Sequence, residues 1–267
     1  MPALTEEIVK EVRKRSALLS LPEVRTVAIS LGYSFVELSN DRMGVCFTPR
    51  SAATSCSHYD HAGSLINKHV LDLTELMLSD NPLERSVGIA AVNVVSQMIM
   101  DHEPDNYKFA TEDFLDLLPE GCLKIGMVGC IGPFIPFLLK RSSSLTVVDD
   151  NPLLNAGISD KGYILSKDIK DLADADIFII TGSCVAVGDF DEVIGYAKSA
   201  KFIGIVGPSA GWLPDPAFAR GVNAVAATRI TDIVGARHVI LEGGGAPDFM
   251  KYGLKYTIVS NPASTRQ

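Results

Sequence analysis

The chain has 267 residues, of which 47% are hydrophobic, so it can bury a large core without disulfides or a structural metal. Its formal net charge is −8, from 24 basic and 32 acidic residues, and neither half of the chain is basic. This charge balance argues against nucleic acid and anionic membrane surfaces as partners, and we expect neither.

The sequence also indicates a compartment. The start of the chain has no basic segment followed by an apolar run, so no secretory signal is predicted. The most apolar stretch, 87–100, is short and interrupted by polar residues, which argues against a membrane span. Five scattered cysteines do not form the pattern of a disulfide framework. We therefore expect a cytoplasmic protein.

The first part of the chain predicts a helix and three strands. Residues 5–19 have the apolar spacing of an amphipathic helix, with Leu18 on the apolar side and the basic residues on a solvated face. Residues 24–31 and 34–38 are rich in β-forming residues. A turn at 39–44 then leads into a third strand at 45–48, which completes a short antiparallel meander.

Two further helices are expected after the meander. Residues 70–78 have helical spacing, and a second helix starts at Asn81. Asn81 can cap this helix, Pro82 suits its first position, and Glu84 stands at the capping-box position. The helix is predicted to run to about Met100.

The polar stretch 101–106 interrupts the helical period and has the composition of a linker. We place a domain boundary there. It separates an α+β domain at 1–103 from a second domain at 104–267, and we expect each to have its own core.

The second domain alternates apolar runs with helical segments. Helical candidates include 133–141 and 191–199. The alternation predicts βαβ units and a parallel sheet, which gives the chain an α/β fold class. Five apolar runs are short enough to be buried strands, and they lie at 124–128, 145–148, 177–180, 202–206 and 224–227.

The ends of these predicted strands are the first candidate site, because an open parallel sheet binds its ligand beyond the carboxyl ends of its strands. Turn residues occur at any strand end, so only their alignment along one edge favours a site. Arg229 and Asp232, at the last strand end, either hold a ligand or form ordinary surface contacts. Gly, hydroxyl or charged residues follow all five runs, at 129–133, 149–152, 181–184, 207–211 and 228–232.

The first strand end partly matches the dinucleotide-binding fingerprint. Gly129 and Gly132 permit a tight turn and Pro133 suits a helix start, but Ile131 occupies the middle glycine position. Asp149 lies 20 residues after Gly129, where a carboxylate usually binds ribose hydroxyls. The combination favours a nucleoside-type ligand such as S-adenosylmethionine, with a plain turn at Asp149 as the alternative interpretation.

A second candidate site lies in the first domain. Cys56, His58 and His61 form a C-x-H-x-x-H pattern in a Ser-rich loop, with Cys46 upstream and His69 downstream. Thiol and imidazole ligands suit zinc, copper or nickel, but no standard zinc module has this spacing. The two interpretations are a metal site completed by a bound ligand and a polar loop that faces the second domain.

Four motifs follow one another in a characteristic order: residues 81–93, Gly129-Cys130-Ile131-Gly132-Pro133, Thr181-Gly182-Ser183 and Gly207-Pro208-Ser209. Together they resemble the family described as "putative heavy-metal chelation". Members of that family pair a domain like the enolase N-terminal domain with a Rossmann-like domain. The resemblance covers nearly the whole chain and implies a ligand site in the cleft between the two domains.

The resemblance also implies which residues form that site. One departure from the family follows the third strand, where the family typically reads Thr-Gly-Thr-Thr leading to Asn-Gly-Thr. Val187 here replaces the amide side chain, which removes a donor and an acceptor, so we expect a changed ligand preference. By matching position, the implied residues are Asn93, Gly129, Pro133, Asp149, Thr181, Ser183, Gly207, Pro208 and Ser209.

Three functional hypotheses follow. The first is a cytoplasmic protein whose interdomain cleft binds a transition metal or a small metal-chelating molecule, in heavy-metal chelation or metallocofactor supply. The second is an enzyme that uses a nucleoside cofactor such as S-adenosylmethionine. The third is a non-catalytic sensor whose domains close on a ligand. No Ser-His-Asp order or nucleophile elbow assigns a catalytic residue, and homo-oligomer formation is left open.

Overall fold

The computed structural model describes residues 2–49, 59–121 and 123–261. The elements of the first half are α1 (Leu4–Ser16), β1 (Val24–Ile29), β2 (Tyr33–Leu38), β3 (Arg42–Phe47), α2 (Val70–Thr74) and α3 (Pro82–His102). The three strands pair antiparallel in the order β1-β2-β3. A short 3-10 helix, Glu75–Leu78, continues α2.

The predicted antiparallel meander is confirmed, with one change at its second turn. Strand β3 begins at Arg42 rather than at Val45, and Arg42 pairs directly with Leu38. The reversal is this tight because Asp41 adopts a left-handed conformation, with a φ of 58°. The strand therefore starts earlier than the turn residues suggested.

Two expectations for the first helix are wrong. Helix α1 ends at Ser16, and Leu18 is 80% exposed rather than packed on the apolar side. Arg15 does not lie on a solvated face either, since its side chain is only 14% exposed and donates to Glu103 at 2.7 Å. Its long side chain reaches across a contact between elements, which helical spacing does not reveal.

The predicted start of α3 is confirmed. Asn81 is the N-cap, and its Oδ1 accepts from the backbone N–H of Leu83 at 2.9 Å. Glu84, however, does not complete a capping box. Its carboxylate accepts hydrogen bonds from Tyr59 and Ser79 instead.

The second half is built on a large, mostly parallel sheet. The elements of this half are β4 (Lys108–Phe109), β5 (Leu123–Val128), α4 (Ile135–Arg141), β6 (Ser142–Val148), β7 (Gly157–Ile158), β8 (Ile164–Ser166), β9 (Ile177–Thr181), α5 (Ser183–Val187), α6 (Phe190–Tyr196), β10 (Phe202–Val206), α7 (Asp215–Phe218), β11 (Ala224–Ile230), α8 (Ile233–Leu241), α9 (Ala246–Phe249) and β12 (Gly253–Val259). The strand order in the sheet is β4-β12-β11-β10-β9-β5-β6-β8-β7.

The five predicted strands are β5, β6, β9, β10 and β11, and they lie side by side in parallel. The predicted α/β fold class is confirmed. From β5 the chain moves outward to β6 and then returns to β9 on the other side of β5. The strand order therefore reverses between β5 and β9, which is where open parallel sheets usually bind ligands.

The expectation of two separate cores is wrong. One continuous cluster of buried side chains joins Leu4 and Val95 of the first half to Phe178, Trp212 and Val225 of the second. The sheets are separate, but the helices between them carry apolar residues on more than one face. The domain boundary between residues 103 and 104 stays a prediction.

Ion pairs also connect the two halves around this shared core. Glu37 is almost fully buried and accepts from Arg25 of its own half and Arg237 of the other. Among the described residues, the pairs that cross between the halves are Glu7 with Arg220, Arg15 with Asp215 at 3.3 Å, Glu37 with Arg237 at 3.0 Å, and Asp101 with Arg229 at 2.8 Å.

Within the described ranges, no helix combines the length and the apolar character needed to cross a membrane.

Candidate ligand site at the strand ends

The loop after β5 packs closely against the end of β9. Gly129, directly after β5, has a φ of 82°, and a Cβ atom there would lie 2.5 Å from Cγ2 of Thr181. Both the conformation and the space require glycine. Gly132 and Pro133 are exposed, and a Cβ on Gly132 would meet open space. Of the two fingerprint glycines, only Gly129 is therefore sterically necessary.

Asp149 fixes the shape of the same loop. Its Oδ2 accepts from the backbone N–H of Cys130 at 2.7 Å, and its Oδ1 accepts from that of Asn151 at 2.9 Å. Lys167 Nζ donates to the backbone oxygen of Asp149 at 2.8 Å. A carboxylate has about four acceptor sites, so capacity remains for a ligand hydroxyl. Asp149 thus has a structural task in addition to any ligand contact.

The third strand end presents two hydroxyl groups. Thr181 Oγ1 and Ser183 Oγ lie 3.1 Å apart, and both residues are half-buried. Gly182 between them donates its N–H to the backbone oxygen of Val206, which ties this end to β10. The hydroxyl pair thus lies beside the reversal of strand order.

The fourth strand end is closed by the first half of the chain. Ser209 Oγ accepts from the backbone N–H of Phe47, at the end of β3, at 2.9 Å. Asn93 Nδ2, on α3, donates to Val45 O at 2.9 Å and to the backbone oxygens of Ser209 and Pro208 at 3.3 and 3.4 Å. Asn93, Pro208 and Ser209 are all buried. These predicted site residues form a joint between the halves rather than an open surface.

Two buried thiols remain protonated at neutral pH. Burial raises the pKa of Cys46 to about 12, more than the hydrogen bond with Ser209 lowers it. Burial and the nearby charge of Asp189 raise the pKa of Cys184, whose Sγ lies 2.8 Å from Asp189 Oδ1. Burial therefore favours the neutral thiol at both positions.

The predicted metal ligands are only partly within the described residues. Cys56 and His58 lie outside them. His61 is exposed, and its ring makes an edge contact with Tyr59 at a centroid distance of 5.7 Å. His69 caps α2, since its Nδ1 accepts from the backbone N–H of Leu71. Among described residues, no three His, Cys, Asp or Glu side chains come together as a metal site.

The first turn of α3 contains a functional candidate that sequence reasoning missed. Arg85 Nη1 donates to the backbone oxygens of Val187 at 2.7 Å and Ala186 at 3.2 Å, at the end of α5. Its neighbour Glu84 accepts from the Tyr59 hydroxyl at 3.1 Å. Both residues belong to the motif at 81–93. In the sequence, Glu84 was interpreted as a helix-capping residue and Arg85 was given no role of its own.

The valine at position 187, where the family has an amide side chain, does not affect the contact with Arg85. Its side chain is 46% exposed, and its contact with Arg85 is made through the backbone oxygen. Any side chain at this position would leave that oxygen available. Replacing the family's amide with valine therefore costs nothing at this contact.

Arg229 and Asp232 have structural partners. Strand β11 extends to Ile230, so Arg229 lies within the strand and pairs with Asp101. Asp232 caps α8 by accepting from the backbone N–H of Gly235 at 2.9 Å. The predicted strand ended at residue 227, three residues before the observed end of β11, so both residues were assigned to the loop after the strand.

The large, mostly parallel sheet and its reversal of strand order define an α/β protein. Residues 113–259 match the family DUF364 and residues 16–96 match DUF4213, and both are described as "Putative heavy-metal chelation". The chain belongs to the DUF364 family, which confirms the resemblance inferred from its motifs.

Relatives extend over nearly the whole chain. An uncharacterized protein of Methanocaldococcus jannaschii is 28% identical over 261 residues, covering 94% of this chain and 97% of that protein. A DUF364 crystal structure from Pyrococcus horikoshii has a TM-score of 0.75 and 22% identity, and covers 97% of this chain and 100% of its own. A DUF364 structure from Desulfitobacterium hafniense has a TM-score of 0.72 and 16% identity, with coverages of 96% and 99%. These similarities establish the fold.

Proposed function

We propose that this protein binds a transition metal, or a small metal-chelating molecule, between the first-half loop and the strand ends of the second half. The strand-end loops hold the organic part of the ligand, and the loop containing Cys56, His58 and His61 completes the coordination of the metal. The role is heavy-metal chelation or metallocofactor supply in the cytoplasm.

The observation that carries this proposal is the attachment of the chain on both sides of residues 50–58. On one side, the backbone N–H of Phe47 donates to Ser209 in the fourth strand-end loop. On the other side, Tyr59 is joined through Glu84 to the first turn of α3, which also contacts the end of α5. Phe47, before the candidate metal ligands Cys56 and His58, thus contacts a strand-end loop, and Tyr59, after them, contacts a helix that reaches the end of α5.

The chemistry of the two sides is complementary. The strand ends offer the hydroxyls of Thr181 and Ser183 and the backbone of the Gly129 loop, which suit the oxygen atoms of a chelator. The first-half loop offers a thiol and imidazoles, which suit zinc, copper or nickel. Neither side alone supplies a complete coordination sphere, so a ligand-completed site explains both.

The test is metal analysis and titration calorimetry with Zn²⁺, Cu²⁺ and Ni²⁺, alone and with citrate as the chelator. We expect binding by the wild type and a loss of at least about tenfold in affinity in the Cys56→Ser, His58→Ala double variant. Affinity should rise from pH 6 to pH 8 as imidazole and thiol groups lose their protons. His238→Ala removes an exposed histidine on α8 and serves as the control. Equal affinity in all three proteins would contradict the proposal.

A second candidate function is binding of a nucleoside cofactor such as S-adenosylmethionine. The specific support is the position of Asp149 after β6, next to the reversal of strand order, with acceptor capacity remaining on its carboxylate. Adenosine and S-adenosylmethionine should then raise the melting temperature of the wild type and have no effect on Asp149→Asn. A wild type that no adenosine compound stabilises would remove this candidate.

A further inference from the structure

A chain of hydrogen bonds connects the end of α5 with the loop that follows the candidate metal ligands. Arg85 Nη1 donates to Val187 O at 2.7 Å, and its Nε donates to Ser79 O at 3.0 Å. Ser79 Oγ donates to Glu84 Oε2 at 2.6 Å, and the hydroxyl of Tyr59 donates to Glu84 Oε1 at 3.1 Å. Each of these hydrogen bonds is direct, so they form a continuous series from Val187 to Tyr59.

The arginine end of this chain is matched to its target. The last carbonyl groups of a helix have no intrahelical partner and carry partial negative charge, which favours a cation there. A guanidinium group presents several donors in one plane and can satisfy more than one carbonyl at once. Gly188 has a φ of 101°, and a Cβ on it would lie 2.5 Å from Arg85 Nη1. Glycine at this position lets the arginine approach.

The glutamate end of the chain holds the loop. Glu84 has one carboxylate oxygen on Ser79 and the other on Tyr59. The ring of Tyr59 in turn contacts that of His61. Glu84 is therefore linked to His61 through the side chain of Tyr59.

We propose that Arg85, Ser79 and Glu84 are positioning residues that hold the His61 loop at a fixed distance from the Thr181 and Ser183 hydroxyls. Helix α5 runs from Ser183 to Val187, so the backbone oxygen that Arg85 binds and the Ser183 hydroxyl lie at the two ends of one short helix. The consequence for metal affinity rests on the proposed function, whereas the coupling between the two segments does not.

The variants remove different hydrogen bonds in the series that links Val187 to Tyr59. Arg85→Met removes the hydrogen bonds to α5 and to the backbone oxygen of Ser79, and Arg85→Lys keeps the charge but not the planar donors. Ser79→Ala removes the link to Glu84 while leaving the backbone oxygen that Arg85 uses. The matched control is Arg229→Met, because Arg229 also joins the two halves but contacts neither segment.

Amide hydrogen exchange of the full chain without ligand is the first measurement. Arg85→Met should speed exchange in 59–64 and in 182–188 by about tenfold. Ser79→Ala should do so only in 59–64, and Arg85→Lys should retain part of the protection. Arg229→Met should lower the melting temperature and leave both segments as in the wild type. Unchanged exchange in 59–64 in Arg85→Met, or the same changes in Arg229→Met, would overturn the positioning role.

Titration with Zn²⁺ alone is the second measurement. Arg85→Met and Ser79→Ala should each weaken Zn²⁺ binding about tenfold, and Arg229→Met should not. Wild-type protein that binds no Zn²⁺, Cu²⁺ or Ni²⁺ but shows the coupled exchange would overturn the proposed function and support the positioning role. Normal Zn²⁺ affinity in both chain variants, with uncoupled exchange, would overturn the positioning role alone.

Discussion

The two ends of the strand-end edge carry similar residues and are used differently. The closed end comprises Gly207–Ser209, packed against Asn93 and the end of β3. The open end comprises the Gly129 and Asp149 loops and the hydroxyls of Thr181 and Ser183, all of which remain partly accessible. In the closed end the polar groups bind the other half of the chain, whereas in the open end they retain capacity for a ligand.

The comparison shows that a polar strand-end motif can serve two purposes within one sheet. Ser209 and Ser183 follow neighbouring strands, but only Ser209 lies opposite the end of β3. The role of each serine therefore depends on whether the first half of the chain contacts it, as β3 contacts Ser209. We expect variants in the closed end to affect stability and variants in the open end to affect binding.

The largest effect is expected at the centre of the closed end. Asn93→Ala removes a donor shared by three buried backbone oxygens, Val45 O, Pro208 O and Ser209 O. Its free energy of unfolding should fall by about 3 kcal/mol because buried acceptors lose their partner. Urea denaturation measures this. Asn106→Ala, at an exposed amide, should change stability by less than about 0.5 kcal/mol, and equal losses in both would contradict the closed-end role.

The next effect distinguishes the two glycines of the open end. Gly129→Ala forces a Cβ into a left-handed conformation and against Thr181, so we expect a loss of about 2 kcal/mol. Gly132→Ala meets open space and should lose less than about 0.5 kcal/mol. Thermal and urea unfolding of both variants test this. Similar stability in the two would show that the loop relaxes.

An alkaline titration tests the closed end in another way. The pKa of Cys46 rises from 9.0 in an ordinary thiol to about 12 through burial, so the folded protein keeps a proton that the unfolded chain releases. Stability should therefore fall as the pH rises from about 9 towards 12. Cys46→Ala should show a shallower fall in free energy of unfolding over that range. An equally steep fall would assign the pH dependence to other groups, such as the buried phenol of Tyr33, whose pKa burial also raises.

The smallest effect on stability is expected at the open hydroxyl pair. Ser183→Ala removes a half-exposed hydroxyl and should change the free energy of unfolding by less than about 0.5 kcal/mol while weakening ligand binding. Ser209→Ala, its counterpart in the closed end, should lose about 1–2 kcal/mol because the N–H of Phe47 is left without a partner. Reversed effects in this pair would overturn the distinction between the two ends.

Local patterns predicted the framework well. Five apolar runs gave the parallel strands, and Asn81 with Pro82 gave the start of α3, because burial of a strand and capping of a helix are decided by residues close in sequence. Strand β12 escaped prediction. Its start is exposed, with Leu254 65% exposed, and only Thr257 and Ile258 are buried, so it lacks the continuous buried run that marks the central strands.

The division of the site could not be predicted for a related reason. Asn93 and Ser209 are 116 residues apart, and nothing near either one shows that they meet. The motif at 81–93 identified Asn93 as important but not as buried. Arg85 was hidden by the same limitation, since its partners on α5 are 101 and 102 residues away.

The shared core has a consequence for how this chain can be divided. Trp212 is fully buried in a cluster that also contains Leu4 and Val95, so a cut between the halves would leave apolar surface on both pieces. Each fragment made alone should aggregate, and the two should recover a folded protein only when produced together. Separation of the two halves into different genes would therefore be penalised, which gives a physical reason for the two matched segments to be inherited as one reading frame.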